Sequence, residues 1–186
     1  ARALLVPVDA PAALAAAAAG ATVVVHAANP LYTRWDTDLM PLFHAALSVA
    51  RQLGAMFMMP GSVYNYGAAH MPRWIDEDTP QRPGTAKGRW RVRIEDELRA
   101  AAAEGLPVVL IRAGDFFGGG SGTWVDQAIA KDIARGRLVY PGPPALAHAW
   151  AYVPDLARAF AAVADRGPVP GYRAMHFSGH TLTGDE

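Results

Sequence analysis

The chain of 186 residues contains no cysteine. Disulfides and cysteine-ligated metal centres are thereby excluded, and a reducing compartment such as the cytoplasm is the expected setting. Charge of one sign is also lacking, because 17 Lys and Arg balance 17 Asp and Glu. No global field then favours nucleic acid or an anionic membrane, and neither is expected as a partner. No apolar run approaches the roughly 20 residues that span a bilayer. No carboxylate or second histidine lies at ligand spacing from His26, and no metal is expected. Internal repeats, low-complexity tails and heptads are missing as well.

What is present is an alternation of strands and helices. Ala1–Leu5 reads as the end of a helix, and Val6–Asp9 as a strand. Pro11–Gly20 is an alanine-rich helix closed by its glycine. Ala21–Ala28 is a β-branched run suited to a buried parallel strand, broken by Asn29-Pro30. Asp38–Leu53 carries apolar residues at helical spacing, with Gly54 as its stop. Further strands are expected at Ala55–Met59, Leu106–Arg112, Arg137–Tyr140 and Met175–Ser178. Further helices are expected over Lys87–Gly105, Val125–Arg135 and Asp155–Arg166, the last capped by Asp155. Apolar strands without a polar face predict an α/β fold, a parallel sheet covered on both sides. Ligands of such sheets gather at the carboxyl ends of the strands. Those ends here are HAAN, GSVYNYG and RAGDFFGGG.

Several side chains can carry chemistry there. Ser62 at a strand end either faces a substrate or bonds its own turn. Lys87 and Arg91 stand i, i+4 on one helical face. They form either a solvated basic face, with Arg91 pairing Glu95 and Arg93 pairing Glu97, or a functional pair. In the second case mutual repulsion favours a neutral lysine amine as acid/base, while Arg91 binds a phosphate or carboxylate. Trp90, Ile94 and Leu98 make the apolar stripe of the same helix. His26 is expected to be packed and hydrogen-bonded, and Asp9 could cap the helix that follows it.

In this order HAANP, GSVYNYG, RIEDEL, IRAGDFFGGG and WAYVPDLARA resemble the extended short-chain dehydrogenase/reductases, above all the NAD-dependent epimerase/dehydratase family. The likeness runs from about Val6 to Glu186. It implies one Rossmann-like domain over residues 1–186, a doubly wound parallel sheet, with a small substrate-side portion from about residue 120. It implies NAD or NADP as cofactor, and an epimerase, dehydratase or reductase acting on a carbinol or carbonyl of a polar small molecule such as a nucleotide sugar. The family's catalytic set is Ser/Thr, Tyr and Lys. Ser62 stands at the serine, Lys87 at the tyrosine and Arg91 at the lysine, so YxxxK has become KGRWR; no tyrosine lies between Tyr66 and Tyr140.

The same resemblance places His26, Ala27, Ala28 and Asn29 beside the cofactor, Asp9 near an adenine amine, and Arg112, Ala113, Gly114 and Phe117 along the nicotinamide. Tyr64, Tyr66 and His148 would meet substrate, and Gly118–Gly122 would close over it. A homodimer through the helices around Leu42 and Ile94 is allowed. The glycine fingerprint that binds a pyrophosphate at a helix N-terminus is missing. The sheet is therefore expected to be incomplete at its N-terminal side, with chain absent before Ala1, after Leu5 and after Glu186. A second reading keeps the scaffold and drops catalysis: a dinucleotide-binding sensor or regulatory protein.

Overall fold

The computed structural model describes residues 3–120, 122–140 and 142–186, with the backbone alone for His70. Its strands are β1 (Val23–Val25), β2 (Met56–Ser62), β3 (Val108–Ala113), β4 (Asp115–Phe117), β5 (His148–Tyr152), β6 (Tyr172–His176) and β7 (His180–Leu182). Its α-helices are α1 (Pro11–Ala17), α2 (Trp35–Leu53), α3 (Ala86–Ala103) and α4 (Val153–Ala164).

The apolar strands pair as one parallel sheet in the order β1-β2-β3-β6. Successive strand side chains point to opposite faces, so a strand apolar throughout needs cover on both. Phe57, Met59, Val108 and Leu110 pack against Leu39, Phe43 and Leu47 of α2 and Ile94 and Leu98 of α3. Met56, Met58, Val109 and Ile111 pack against Leu156 and Phe160 of α4. This is the doubly wound α/β arrangement expected from the sequence. A smaller sheet, β4-β5-β7, pairs β4 with β5 in parallel and β5 with β7 antiparallel. Gly114 makes the passage from β3 into β4 possible, since a Cβ there would run into the carbonyl of Ala149.

Five local expectations are corrected. Val6–Asp9 forms no strand: Pro7 has no N–H to donate, and Leu4, Leu5 and Val8 are exposed without a neighbouring strand. Ala3–Leu5 is not helical, and Ala1 and Arg2 lie outside the described residues. Val125–Arg135 divides into a π turn at Val125–Ile129 and a 3-10 turn at Ile133–Arg135. Ile129 is the one buried side chain these turns offer, too little apolar surface to hold a continuous helix. Arg137–Tyr140 is unpaired, with Leu138 and Val139 exposed. The last helix begins at Val153, so Asp155 lies inside its first turn and pairs with Arg158 instead of capping.

The largest surprise is polar. The basic-face reading of α3 pairs Glu95 with Arg91; instead Glu95 lies buried against Arg112 of β3, each side chain 2% exposed and Nη2 2.7 Å from Oε2. The guanidinium also donates through Nε to Oε1 at 2.9 Å. Asn65, Gln81, Arg99 and Tyr172 all donate to the same carboxylate. His176 Nε2 lies 3.0 Å from Arg112 Nη1. Arg93 does pair with Glu97, at 3.1 Å.

Burial alone would push the Glu95 carboxyl up, yet Arg112, Gln81 and Arg99 hold it below the usual carboxylate range. A depressed folded-state pKa contributes stability above the unfolded value, and this is lost as pH falls through the folded one. Glu95→Ala should leave a buried guanidinium uncompensated and destabilise the fold by about 3–5 kcal/mol in denaturant titrations at neutral pH. Glu95→Gln should flatten the acid limb of the stability curve; an unchanged limb would contradict the pairing.

Candidate functional site

Carboxyl ends of parallel strands leave their last backbone groups and the following loops facing one edge, and here three such ends converge. His26–Asn29 follow β1, Ser62–Tyr64 end β2, and Ala113–Phe116 leave β3. Together with Tyr32, Arg91 and Gly122–Trp124 they line a cleft of about 220 Å³.

Ser62 terminates β2 in extended conformation and caps the 3-10 turn behind it, accepting from the Tyr64 N–H at 3.4 Å. Its hydroxyl donates to Asn65 Oδ1 at 3.5 Å. Both bonds are long, so the hydroxyl keeps turn-serine contacts and remains free to rotate toward a ligand oxygen. Tyr64 projects from that turn. The turn lies close to the start of α3 because Gly88 has no side chain: a Cβ there would strike the Tyr64 carbonyl. Thr85 starts the helix, its Oγ1 accepting from the Gly88 N–H at 3.1 Å.

Arg91 lies one turn into α3 and faces the cleft. Its guanidinium packs 4.7 Å from the Trp35 ring centroid. Nη2 donates to Asn29 Oδ1 at 3.5 Å, and Nε is buried without a partner. Burial lowers its pKa, while the neighbouring Tyr32 and Tyr64 oppose that shift. Lys87 does not reach the cleft lining. It is exposed at the rim, with Nζ 4.2 Å from the Tyr32 ring centroid.

His26 packs among Phe43 and Phe57, its ring centroid 6.4 Å and 6.3 Å from theirs. Tyr64 has its pKa raised by burial, then by Asp115 and Tyr32. Its hydroxyl lies 3.4 Å from Asp115 Oδ1, and Asp115 Oδ2 lies 2.8 Å from His148 Nε2.

Of the residues named from sequence, Ser62, Arg91, Ala27, Ala28, Asn29, Ala113, Gly114 and Tyr64 share the cleft with His26. His148 stands behind Asp115, its ring 6.1 Å from that of Trp124. The others lie elsewhere. Arg112 and Tyr66 belong to the buried polar knot, Tyr66 with its hydroxyl 3.4 Å from His176 Nε2. Phe117 packs on Tyr152, and Phe116 lines the cleft in its stead. Asp9 is exposed and makes no cap; its neighbour Val8 lines a separate apolar hollow along β1. Asp115, Tyr32 and Trp124 were not singled out from sequence. Asp115 had one signal, a carboxylate directly after the glycine that follows β3.

Burial, and secondarily the charge of Arg91, lowers the pKa of His26 from 6.5 to about 4. The unfolded chain binds the proton more tightly, so stability is complete above about pH 6.5 and falls as pH drops toward 4. At 1.36 kcal/mol per unit the whole window amounts to roughly 3 kcal/mol. An NMR titration of the His26 ring should give a midpoint near 4; a midpoint near 6.5 would show that the ring is solvated.

Comparison with known proteins places this geometry. No curated protein matches the chain. Among solved structures, a double mutant of the dTDP-glucose 4,6-dehydratase DesIV from Streptomyces venezuelae, with NAD bound, shares 18% identity at a TM-score of 0.74, covering 97% of this chain and 59% of its own. The UDP-glucose 4-epimerase of Brucella ovis in complex with NAD shares 21% at 0.76, covering 98% and 66%. The L-threonine dehydrogenase of Phytophthora infestans shares 14% at 0.78, covering 98% and 65%. The chain thus spans about three fifths to two thirds of the length of these neighbours, whose likeness is one of fold. No helix among the described residues is long and apolar enough to cross a membrane. The model of the NAD dependent epimerase/dehydratase family matches residues 3–173, and the chain belongs to that family.

Proposed function

We propose that the carboxyl-end cleft binds NAD or NADP and a polar, phosphate-bearing substrate such as a nucleotide sugar, in a protein of the epimerase/dehydratase or reductase type. The observation that carries this reading is Arg91: a half-buried guanidinium that lines the cleft, with a buried, orphaned Nε and no stronger partner than the Asn29 amide oxygen. Such a group lacks an anion, and dinucleotides and nucleotide sugars both carry one. Ala27 and Ala28 leave the backbone after β1 open to close approach, so the residues present fit the nicotinamide-side half of such a cofactor. When bound, the dinucleotide supplies hydride transfer.

The chain's own residues do the rest. Arg91 holds charge, Ser62 turns its hydroxyl to the reacting oxygen, and the loop at Gly122–Trp124 shields one side of the cleft. Lys87, although it stands where the family has its tyrosine, would act from the rim as a cation beside Tyr32. The sensor reading draws on the missing tyrosine, since no phenol occupies position 87.

Isothermal titration with NADH and NADPH tests the proposal. Binding is expected, and Arg91→Ala should weaken it roughly 10- to 100-fold, the range for losing a charged hydrogen bond. Absence of binding by the unaltered chain would overturn the reading. Firm binding without turnover in a screen of carbonyl compounds and nucleotide sugars would favour the sensor. Lys87→Ala should leave cofactor affinity within a few-fold of the unaltered chain; abolished binding would place Lys87 on the cofactor.

A further inference from the structure

The cleft contains a second polar system that the Ser62, Lys87 and Arg91 positions do not use. Tyr64 lines the cleft, and its hydroxyl lies 3.4 Å from Asp115 Oδ1. The other oxygen of that carboxylate lies 2.8 Å from His148 Nε2. The His148 ring packs beside Trp124 and Trp150, at centroid distances of 6.1 and 4.3 Å. Asp115 and His148 are partly shielded, their side chains 18% and 34% exposed.

We propose that Tyr64 is the acid/base residue of this protein, exchanging a proton between a substrate carbinol or carbonyl oxygen and Asp115, with His148 as a positioning residue behind the carboxylate. The inference rests on the reading of the cleft as a dinucleotide and substrate site.

Three observations support it. Lys87 is exposed outside the cleft lining, whereas Tyr64 is part of the lining and stands two residues beyond Ser62. A phenol that donates its hydrogen to Asp115 presents its oxygen lone pairs away from that carboxylate, where a substrate hydroxyl can donate to them. Burial and the Asp115 charge keep the phenol protonated at rest, so Tyr64 enters the reaction as a donor already aimed at an acceptor.

In the oxidation direction the carbinol O–H breaks and its proton joins the Tyr64 oxygen. The phenol's own proton passes to Asp115 Oδ1. A dinucleotide held in the cleft would supply the acceptor for the carbinol hydride as the C=O bond forms. One proton and one hydride would leave the substrate, the proton being balanced by conversion of the Asp115 carboxylate to a carboxylic acid and the hydride by reduction of that dinucleotide. Reduction runs the same path backward. His148, with Nε2–H donated to Oδ2, fixes the carboxylate so that Oδ1 faces the phenol.

The test uses the 186-residue chain with NAD and, as probes, UDP-glucose and dTDP-glucose, following sugar product by chromatography and any reduced dinucleotide by absorbance. Tyr64→Phe removes one oxygen and keeps the ring that packs 6.5 Å from Trp35. It should slow turnover at least 100-fold, within the range that proton-transfer groups contribute, and leave NADH affinity within about twofold. Independently of turnover, alkaline absorbance titration of the unaltered chain minus the Tyr64→Phe variant reports the Tyr64 phenol. Asp115→Asn should lower that midpoint, because a negative charge is removed. His148→Ala should slow turnover and His148→Gln, which keeps a donor, should restore part of it. Turnover by Tyr64→Phe within fivefold of the unaltered chain overturns the proposal, as does a phenol midpoint that Asp115→Asn leaves in place. Failure of the unaltered chain to bind NADH overturns the dinucleotide reading instead. Binding without conversion of either probe, whether read as sugar product or as reduced dinucleotide, overturns the acid/base role for sugar carbinols while sparing cofactor binding.

Discussion

The buried pair between Glu95 and Arg112 is the constraint on which the rest of the arrangement depends. Two opposite charges taken out of water are tolerated only if their mutual attraction and the surrounding hydrogen bonds offset desolvation. Both conditions are met by groups drawn from four parts of the chain: Asn65 after β2, Gln81 in the loop before α3, Arg99 on α3 and Tyr172 at the start of β6. Any rotation of α3 about its axis would withdraw Glu95 from Arg112. The pair therefore fixes which face of α3 meets the sheet, in register with the apolar contacts of Ile94 and Leu98. Arg91 precedes Glu95 by about one turn on the same face, an axial step of about 6 Å. That step carries it from the knot to the cleft.

The cleft is electrostatically divided as a result. At the α3 side stands Arg91, a guanidinium whose best partner is a neutral amide oxygen. At the β3 side stands Asp115, a carboxylate engaged by Tyr64 and His148. One side suits a phosphate and the other suits a hydroxyl that gains or loses a proton. Apolar lining from Phe116, Trp124 and the alanines after β1 lowers the local dielectric and strengthens both interactions.

Much of the fold could be read from the residues alone because its determinants are local. Gly54 stops α2 in the left-handed conformation, with φ +60°. The apolar run Val108–Ile111 lies inside the parallel sheet between β2 and β6, and Val23–Val25 forms its edge strand. The spacing of Ile94 and Leu98 predicts the buried stripe that α3 presents. What was illegible involves partners far apart in sequence. Asp115 and His148 are 33 residues apart, and Glu95 chooses Arg112 over the nearer Arg91 because β3 presents that guanidinium from the sheet. Sequence periodicity carries no information on such choices. Val6–Asp9 failed for the related reason that β-branched residues specify a strand only when another strand is there to pair.

The central claim is that one cleft, between the strand ends and the start of α3, takes both dinucleotide and substrate. Amide chemical-shift mapping of the isotope-labelled chain with added NADH tests it most directly. The account predicts that perturbations concentrate at Ala27–Asn29, Ser62–Tyr64, Arg91 and Ala113–Asp115. Perturbations confined to α4 and the β5–β7 sheet, or none at saturating NADH, would contradict it.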